Sequence, residues 1–133
     1  YIPENNRSQI IKTSKNELIL DAYNANPTSM NAALENFYEM NRQKKAIILG
    51  DMFELGKYSQ EEHKKIINRI KELGFNHVYL VGNEFKKLKP DTFLTFKQTE
   101  ELIAHIKQHP ITNCSVLIKG SRGMALEQLS SYL

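Results

Sequence analysis

Short apolar runs alternating with helix-spaced amphipathic segments predict an α/β chain. The expected architecture is a Rossmann-like three-layer domain with a mainly parallel sheet and one antiparallel strand from an N-terminal hairpin. Three observations carry this. Runs such as Ile47, Ile48 and Leu49 are of strand length and end in Gly, Asp or Asn. Between them, residues such as Met30, Ala33, Leu34 and Phe37 recur at helical spacing. Near the N-terminus, residues 9–13 and 17–22 read as two strands joined by a turn at Ser14, Lys15 and Asn16.

Composition sets the bounds. A chain of 133 residues is long enough for one core, and 41% hydrophobic with 25% charged residues is ordinary for a soluble globular protein. The net charge of +3 is scattered, and its densest cluster, Lys86, Lys87 and Lys89, reads as a solvated face, which argues against nucleic acid as a partner. A single cysteine, Cys114, excludes an internal disulfide framework and sits at the edge of an apolar run, as a core thiol does. No apolar stretch approaches the roughly 20 residues that cross a bilayer, so membrane insertion is not expected.

Taken in order, residues 1–8 (YIPENNRS) read as an interdomain lead-in segment whose one cation is Arg7. Leu18, Ile19 and Leu20 form a buried strand ended by Asp21. Asn26 and Pro27 mark a helix start, because an amide oxygen caps free N–H groups and proline has none to lose at the first helical position. Residues 46–49 are the next strand. Ser59 and Glu62 suggest a capping box ahead of the Ile66, Ile67, Ile70 and Leu73 face, which Gly74 ends. Residues 78–81 are a strand, 84–88 a short helix broken by Pro90, and 92–96 a strand by β-branched and aromatic content. Thr99 is expected to cap a helix bearing Leu102, Ile103 and Ile106 that ends before Pro110. Residues 115–118 close the sheet, followed by a final helix with Leu126, Leu129 and Leu133.

A parallel sheet with right-handed crossovers sends its strand-to-helix loops to one edge, where α/β folds bind ligands. Three polar loops should therefore converge there: DAYNANPTSM (residues 21–30), GDMFELG (50–56) and KGSRGM (119–124). They offer carboxylates at Asp21, Asp51 and Glu54, amides at Asn24 and Asn26, a phenol at Tyr23, and cations at Lys119 and Arg122. Arg7 adds a further cation. Carboxylates accept from ribose hydroxyls and cations stabilise phosphate, so the set suits a nucleotide-like polyanion. Each element also has a plainer reading. Taken singly, Asn24 and Asn26 are turn formers. Asp51 and Glu54 fit a ligand or cation contact and, equally, a polar loop anchored by Met52, Phe53 and Leu55. Lys119 and Arg122 fit either an anion cradle or surface charge beside a glycine-rich turn. His63 reads as structural. GDMFELG is not a P-loop: five residues separate its glycines, and Tyr58 stands where Ser or Thr should be. No nucleophile triad, metal-ligand spacing or G-x-G-x-x-G fingerprint is present. The residues alone stop at an α/β ligand-binding domain.

The three motifs, in this order and at these separations, closely resemble the C-terminal domain of the D-Ala-D-Ala-adding branch of the Mur ligase family. The resemblance spans essentially the whole chain. It implies a cytoplasmic bacterial ligase of peptidoglycan synthesis, acting in cell wall biogenesis. ATP phosphorylates the terminal carboxylate of UDP-MurNAc-tripeptide, and D-Ala-D-Ala attacks the acyl phosphate. It further implies that residues 1–133 are the third of three domains, that the N-terminal and central ATPase domains are its own partners, and that magnesium is held by the central domain. By the same resemblance Asp21 holds the ATP ribose and Arg7 reaches the phosphate side. Tyr23, Asn24 and Asn26 belong to the nucleotide-facing wall, while Lys119, Ser121, Arg122, Asp51 and Glu54 lie toward the substrates. No catalytic residue is expected in this domain alone, which should be inactive and bind ATP weakly. The rival readings are a non-catalytic α/β ligand- or partner-binding module and a related amide ligase of the folylpolyglutamate or cyanophycin synthetase type. A nicotinamide-dependent dehydrogenase is more distant.

Overall fold

Thr13 and Asn16 close the N-terminal turn: the Thr13 N–H donates to the Asn16 carbonyl at 2.9 Å, and the Asn16 N–H donates back to Thr13 Oγ1 at 2.9 Å. The hairpin joins β1 (Gln9–Lys12) to β2 (Glu17–Asp21), paired antiparallel. The computed structural model describes residues 9–21 and 25–133. Four more strands follow, β3 (Lys45–Gly50), β4 (Val78–Val81), β5 (Leu94–Phe96) and β6 (Ser115–Lys119), all paired parallel in one sheet of order β1-β2-β6-β3-β4-β5. The expected mainly parallel α/β sheet with one antiparallel hairpin strand is what forms.

Helices α1 (Pro27–Glu39), α2 (Ser59–Glu72) and α3 (Asn83–Lys87) cover one face, and α4 (Thr99–Gln108) covers the other. Strand alternation sorts the core accordingly. Ile47, Leu49, Leu80 and Leu117 pack with Met30, Leu34, Phe37, Ile66 and Ile70. Ala46, Ile48, Val81 and Ile118 pack with Leu102, Ile106, Leu126 and Leu129 on the opposite side. With both faces covered, the central strands β3, β4 and β6 are apolar nearly throughout, as parallel strands must be. Among the described residues, no helix is long and apolar enough to cross a membrane.

Asn26 caps α1 as expected, with its Oδ1 accepting from the Ser29 N–H at 2.9 Å and Ser29 Oγ accepting from the Asn26 N–H at 3.0 Å. Three expectations need correction. The N-cap of α2 is Tyr58, not Ser59; a 3-10 turn, Gly56–Tyr58, runs directly into the helix, and Ser59 Oγ instead donates to Glu84 Oε1 at 2.7 Å. For α4 the N-cap is Gln98. Glu101 accepts from the Lys97 and Gln98 N–H groups, while buried Thr99 donates its hydroxyl to the Met124 carbonyl at 2.7 Å. The final segment is not an α-helix but two 3-10 stretches, Arg122–Met124 and Leu126–Ser131, separated by Ala125 at φ 53°. The three-residue spacing of Leu126 and Leu129 puts both on one side of a 3-10 turn, where they are fully buried.

Candidate functional site

β6 lies between β2 and β3, so the three motif-bearing strand ends are neighbours. The chain leaves β2 and β3 toward the face of α1 and α2, but leaves β6 toward the face of α4. That divergence opens the crevice typical of a topological switch point.

Parallel register sets Asp21 directly beside Lys119, and Lys119 directly beside Leu49. Both charged side chains project toward the α1 face by strand alternation. Lys119 Nζ donates to Asp21 Oδ2 at 3.0 Å; the lysine side chain is only 2% exposed, the aspartate 20%. A buried ammonium requires such a carboxylate. Lys119 therefore serves the interior of the site and does not present its charge to an anion in the outer loop, as the cradle reading expected.

The loops after β3 and β6 are joined backbone to backbone. A Cβ on Gly120 would stand 2.9 Å from Gly50 Cα, a contact only glycine permits. The Ser121 N–H donates to the Asp51 carbonyl at 3.1 Å, and the Phe53 N–H donates to buried Ser121 Oγ at 2.9 Å. The Phe53 ring rests on Gly123, where an added Cβ would meet its Cε2 at 2.7 Å. Of the three side chains that the polar-loop reading makes core anchors, Met52 is buried and Leu55 packs against the core, whereas Phe53 is 46% exposed.

Asp51 is 4% exposed. Its Oδ2 accepts the Glu84 N–H at 2.9 Å and its Oδ1 the Phe85 N–H at 3.1 Å, tying the first turn of α3 to the end of β3. Burial pushes its carboxyl above the usual aspartate range, partly offset by these two backbone donors. The expected substrate-facing carboxylate is thus turned inward. Gly82 makes this possible: at φ +125°, it has no side chain where a Cβ would fall 2.2 Å from Asp51 Cγ. Beneath, fully buried His63 donates from Nδ1 to the Ser59 carbonyl at 2.7 Å and accepts the Met52 N–H on Nε2 at 3.0 Å. These bonds fix the neutral Nδ1–H tautomer and bear out the structural reading of this histidine.

Glu54, at φ 64°, and Arg122 are exposed on the same pair of loops, and Asn26 is exposed at the start of α1. The structure thus gathers Asp21, Asn26, Asp51, Glu54, Lys119, Ser121 and Arg122 at the carboxyl edge of β2, β6 and β3. Arg7, Tyr23 and Asn24 lie outside the described residues. Sequence reasoning missed Gly82 and His63 as supports of the GDMFELG loop. The one available signal was a Gly-Asn pair ending a strand at the same sheet edge. Among the described residues, no group of three His, Cys, Asp or Glu side chains is placed to hold a metal ion.

Two open depressions, about 650 and 700 Å³, lie at the opposite edge, among the amino ends of the strands, and share Gln43, Lys44 and Cys114. They contain none of the motif residues. Cys114 Sγ donates to the Thr112 carbonyl at 3.3 Å, and burial pushes its thiol up, the state of an inert thiol.

Comparison with known proteins gives a consistent result. Residues 6–122 match the family model "Mur ligase, glutamate ligase domain". The UDP-N-acetylmuramoyl-tripeptide–D-alanyl-D-alanine ligase of Rickettsia prowazekii is 40% identical over 131 residues, covering 95% of this chain and 29% of the relative. A crystal structure of MurF from Acinetobacter baumannii superposes with a TM-score of 0.77 at 33% identity, over 94% of this chain and 29% of that one. MurF from Thermotoga maritima in complex with ADP shares the fold, with a TM-score of 0.78 at 22% identity over 99% of this chain and 30% of that one. The chain spans about 29% of the length of the curated relatives it matches.

Proposed function

This chain belongs to the Mur ligase family, and we propose that it is the C-terminal domain of a UDP-N-acetylmuramoyl-tripeptide:D-alanyl-D-alanine ligase, supplying one wall of the ATP and substrate cleft. The observation that carries this is the joining of the GDMFELG and KGSRGM loops, through Gly50–Gly120, Asp51–Ser121 and Phe53–Ser121, beside the Asp21–Lys119 pair. The described residues of these three sequence-distant motifs meet at the switch point of the sheet.

In this reading ATP phosphorylates the terminal carboxylate of the UDP-MurNAc-tripeptide, which converts a poor leaving group into phosphate. The amine of D-Ala-D-Ala then attacks the acyl carbon, and phosphate departs. Such chemistry needs positioning and charge stabilisation more than a protein nucleophile. Asp21 accepts from the ribose hydroxyls. Arg7 supports the phosphate side, and Tyr23, Asn24 and Asn26 complete the nucleotide-facing wall. Asn26 contributes there as the cap that fixes the start of α1. Arg122 and Glu54, exposed on the joined loops, face the peptide substrates. Asp51 and Ser121 act as positioning residues that hold those loops. Magnesium would neutralise the phosphates during transfer. Its protein ligands are expected in the central domain, which the resemblance also makes the source of the P-loop. The setting is the bacterial cytoplasm.

The test is phosphate release by the full-length protein that carries this chain, with each substrate omitted in turn. Release that requires ATP, UDP-MurNAc-tripeptide and D-Ala-D-Ala together supports the proposal. Release driven by glutamate in place of D-Ala-D-Ala would assign the chain to a different amide ligase.

A further inference from the structure

We propose that Lys119 is a positioning residue for the ribose of the bound nucleotide: its buried ammonium holds one oxygen of Asp21 so that the other is aimed at the sugar hydroxyls. The inference rests on the reading above in which Asp21 is the ribose acceptor.

Asp21 is the last residue of β2, at the point where the chain leaves the sheet. A carboxylate there has two soft side-chain torsions and, at 20% exposure, access to water. Its neighbour in the parallel register is Lys119, the last residue of β6. The lysine stem lies inside the sheet–helix layer with only 2% of the side chain exposed, which orders its several rotatable bonds. The 3.0 Å contact from Nζ to Oδ2 therefore sets the carboxylate plane from a rigid element. Preorganisation of this kind strengthens a hydrogen bond to a ligand by removing the cost of ordering the acceptor. The same lysine stands next to Gly120, whose backbone touches Gly50, so the ribose contact and the substrate loops share one strand end.

The experiment is calorimetric titration of the full-length protein with ADP and with 2′,3′-dideoxy-ADP. The wild-type protein should prefer ADP by about tenfold or more, the value of a hydrogen bond to a charged group. Lys119→Met should lose most of that preference while its affinity for dideoxy-ADP stays within about twofold, since only the hydroxyl contact depends on the lysine. Lys119→Gln, which keeps a donor without the charge, should retain part of the preference and serves as the test if the methionine variant does not fold. In an Asp21→Ala background, Lys119→Met should change the preference no further. If the lysine variants keep the full ADP preference, or weaken both ligands equally, Lys119 is only structural and the inference falls while the ribose assignment stands. If Asp21→Ala leaves the ADP preference intact, the ribose assignment falls and takes the inference with it.

Discussion

Removing either partner of the Asp21–Lys119 pair should have unequal effects on folding. Asp21→Ala leaves an ammonium that is 2% exposed without its carboxylate at 3.0 Å. Breaking a buried pair from one side costs about 3–5 kcal/mol, and the partial hydration of Asp21 puts this case near 3 kcal/mol. Lys119→Met instead removes the buried charge, fills most of the volume, and leaves a carboxylate that reaches water. Its cost should be within about 1 kcal/mol of zero. For a domain with about 5–15 kcal/mol in total the difference is large. Urea unfolding of the 133-residue chain, followed by far-ultraviolet circular dichroism, measures both variants against wild type. Equal costs, or a cost below about 1 kcal/mol for Asp21→Ala, would refute the assignment of the pair as buried and coupled.

Gly82→Ala should destabilise by more than about 3 kcal/mol, because the new methyl displaces the Asp51 carboxylate from two N–H donors at a positive φ; a midpoint within error of wild type in the same urea experiment would contradict this. Glu17 is held below its ordinary pKa of 4.5, first by its hydrogen bond from Arg42 and then by that from Ser115. Its folded-state pKa is depressed, so its contribution is present above the unfolded value and lost as pH falls through the folded one. Glu17→Gln should therefore lower the melting temperature at neutral pH, with the difference from wild type shrinking as pH falls below 4.5 and disappearing only once pH is below the depressed folded-state value. Asn26→Ala should cost about 1 kcal/mol through loss of the α1 cap. The isolated chain should release no phosphate from ATP with both co-substrates present; turnover comparable to that of the full-length protein would contradict the one-wall account.

The fold was legible because parallel strands buried on both faces must be continuous apolar runs and their helices must be amphipathic. Ile47 to Leu49 and Ile66 to Ile70 announce themselves in that way. The convergence of the three loops followed from topology. What the sequence could not show was orientation within the loops. Asp51 and Glu54 are both acidic and three residues apart, yet one is buried on backbone donors and the other exposed. That difference comes from Gly82, thirty-one positions beyond Asp51, which no local pattern connects to it. Likewise Lys119 resembled a cradle cation until the parallel register put Asp21 beside it. The helix starts misled for a related reason: Ser59 and Thr99 have capping chemistry, but their hydroxyls are taken by Glu84 and by the Met124 carbonyl.

In the proposed function, the carboxyl edge of β2, β6 and β3 is the nucleotide-facing wall of a ligase cleft. The most direct measurement is an amide-resolved NMR titration of the 133-residue chain with millimolar ADP. Shifts concentrated at Asp21, Asn26 and Lys119, with smaller ones along the adjoining Gly50 to Phe53 and Gly120 to Arg122 segments, are the predicted result. Shifts centred instead on Lys44, Asn113 and Cys114, at the opposite edge of the sheet, would contradict it.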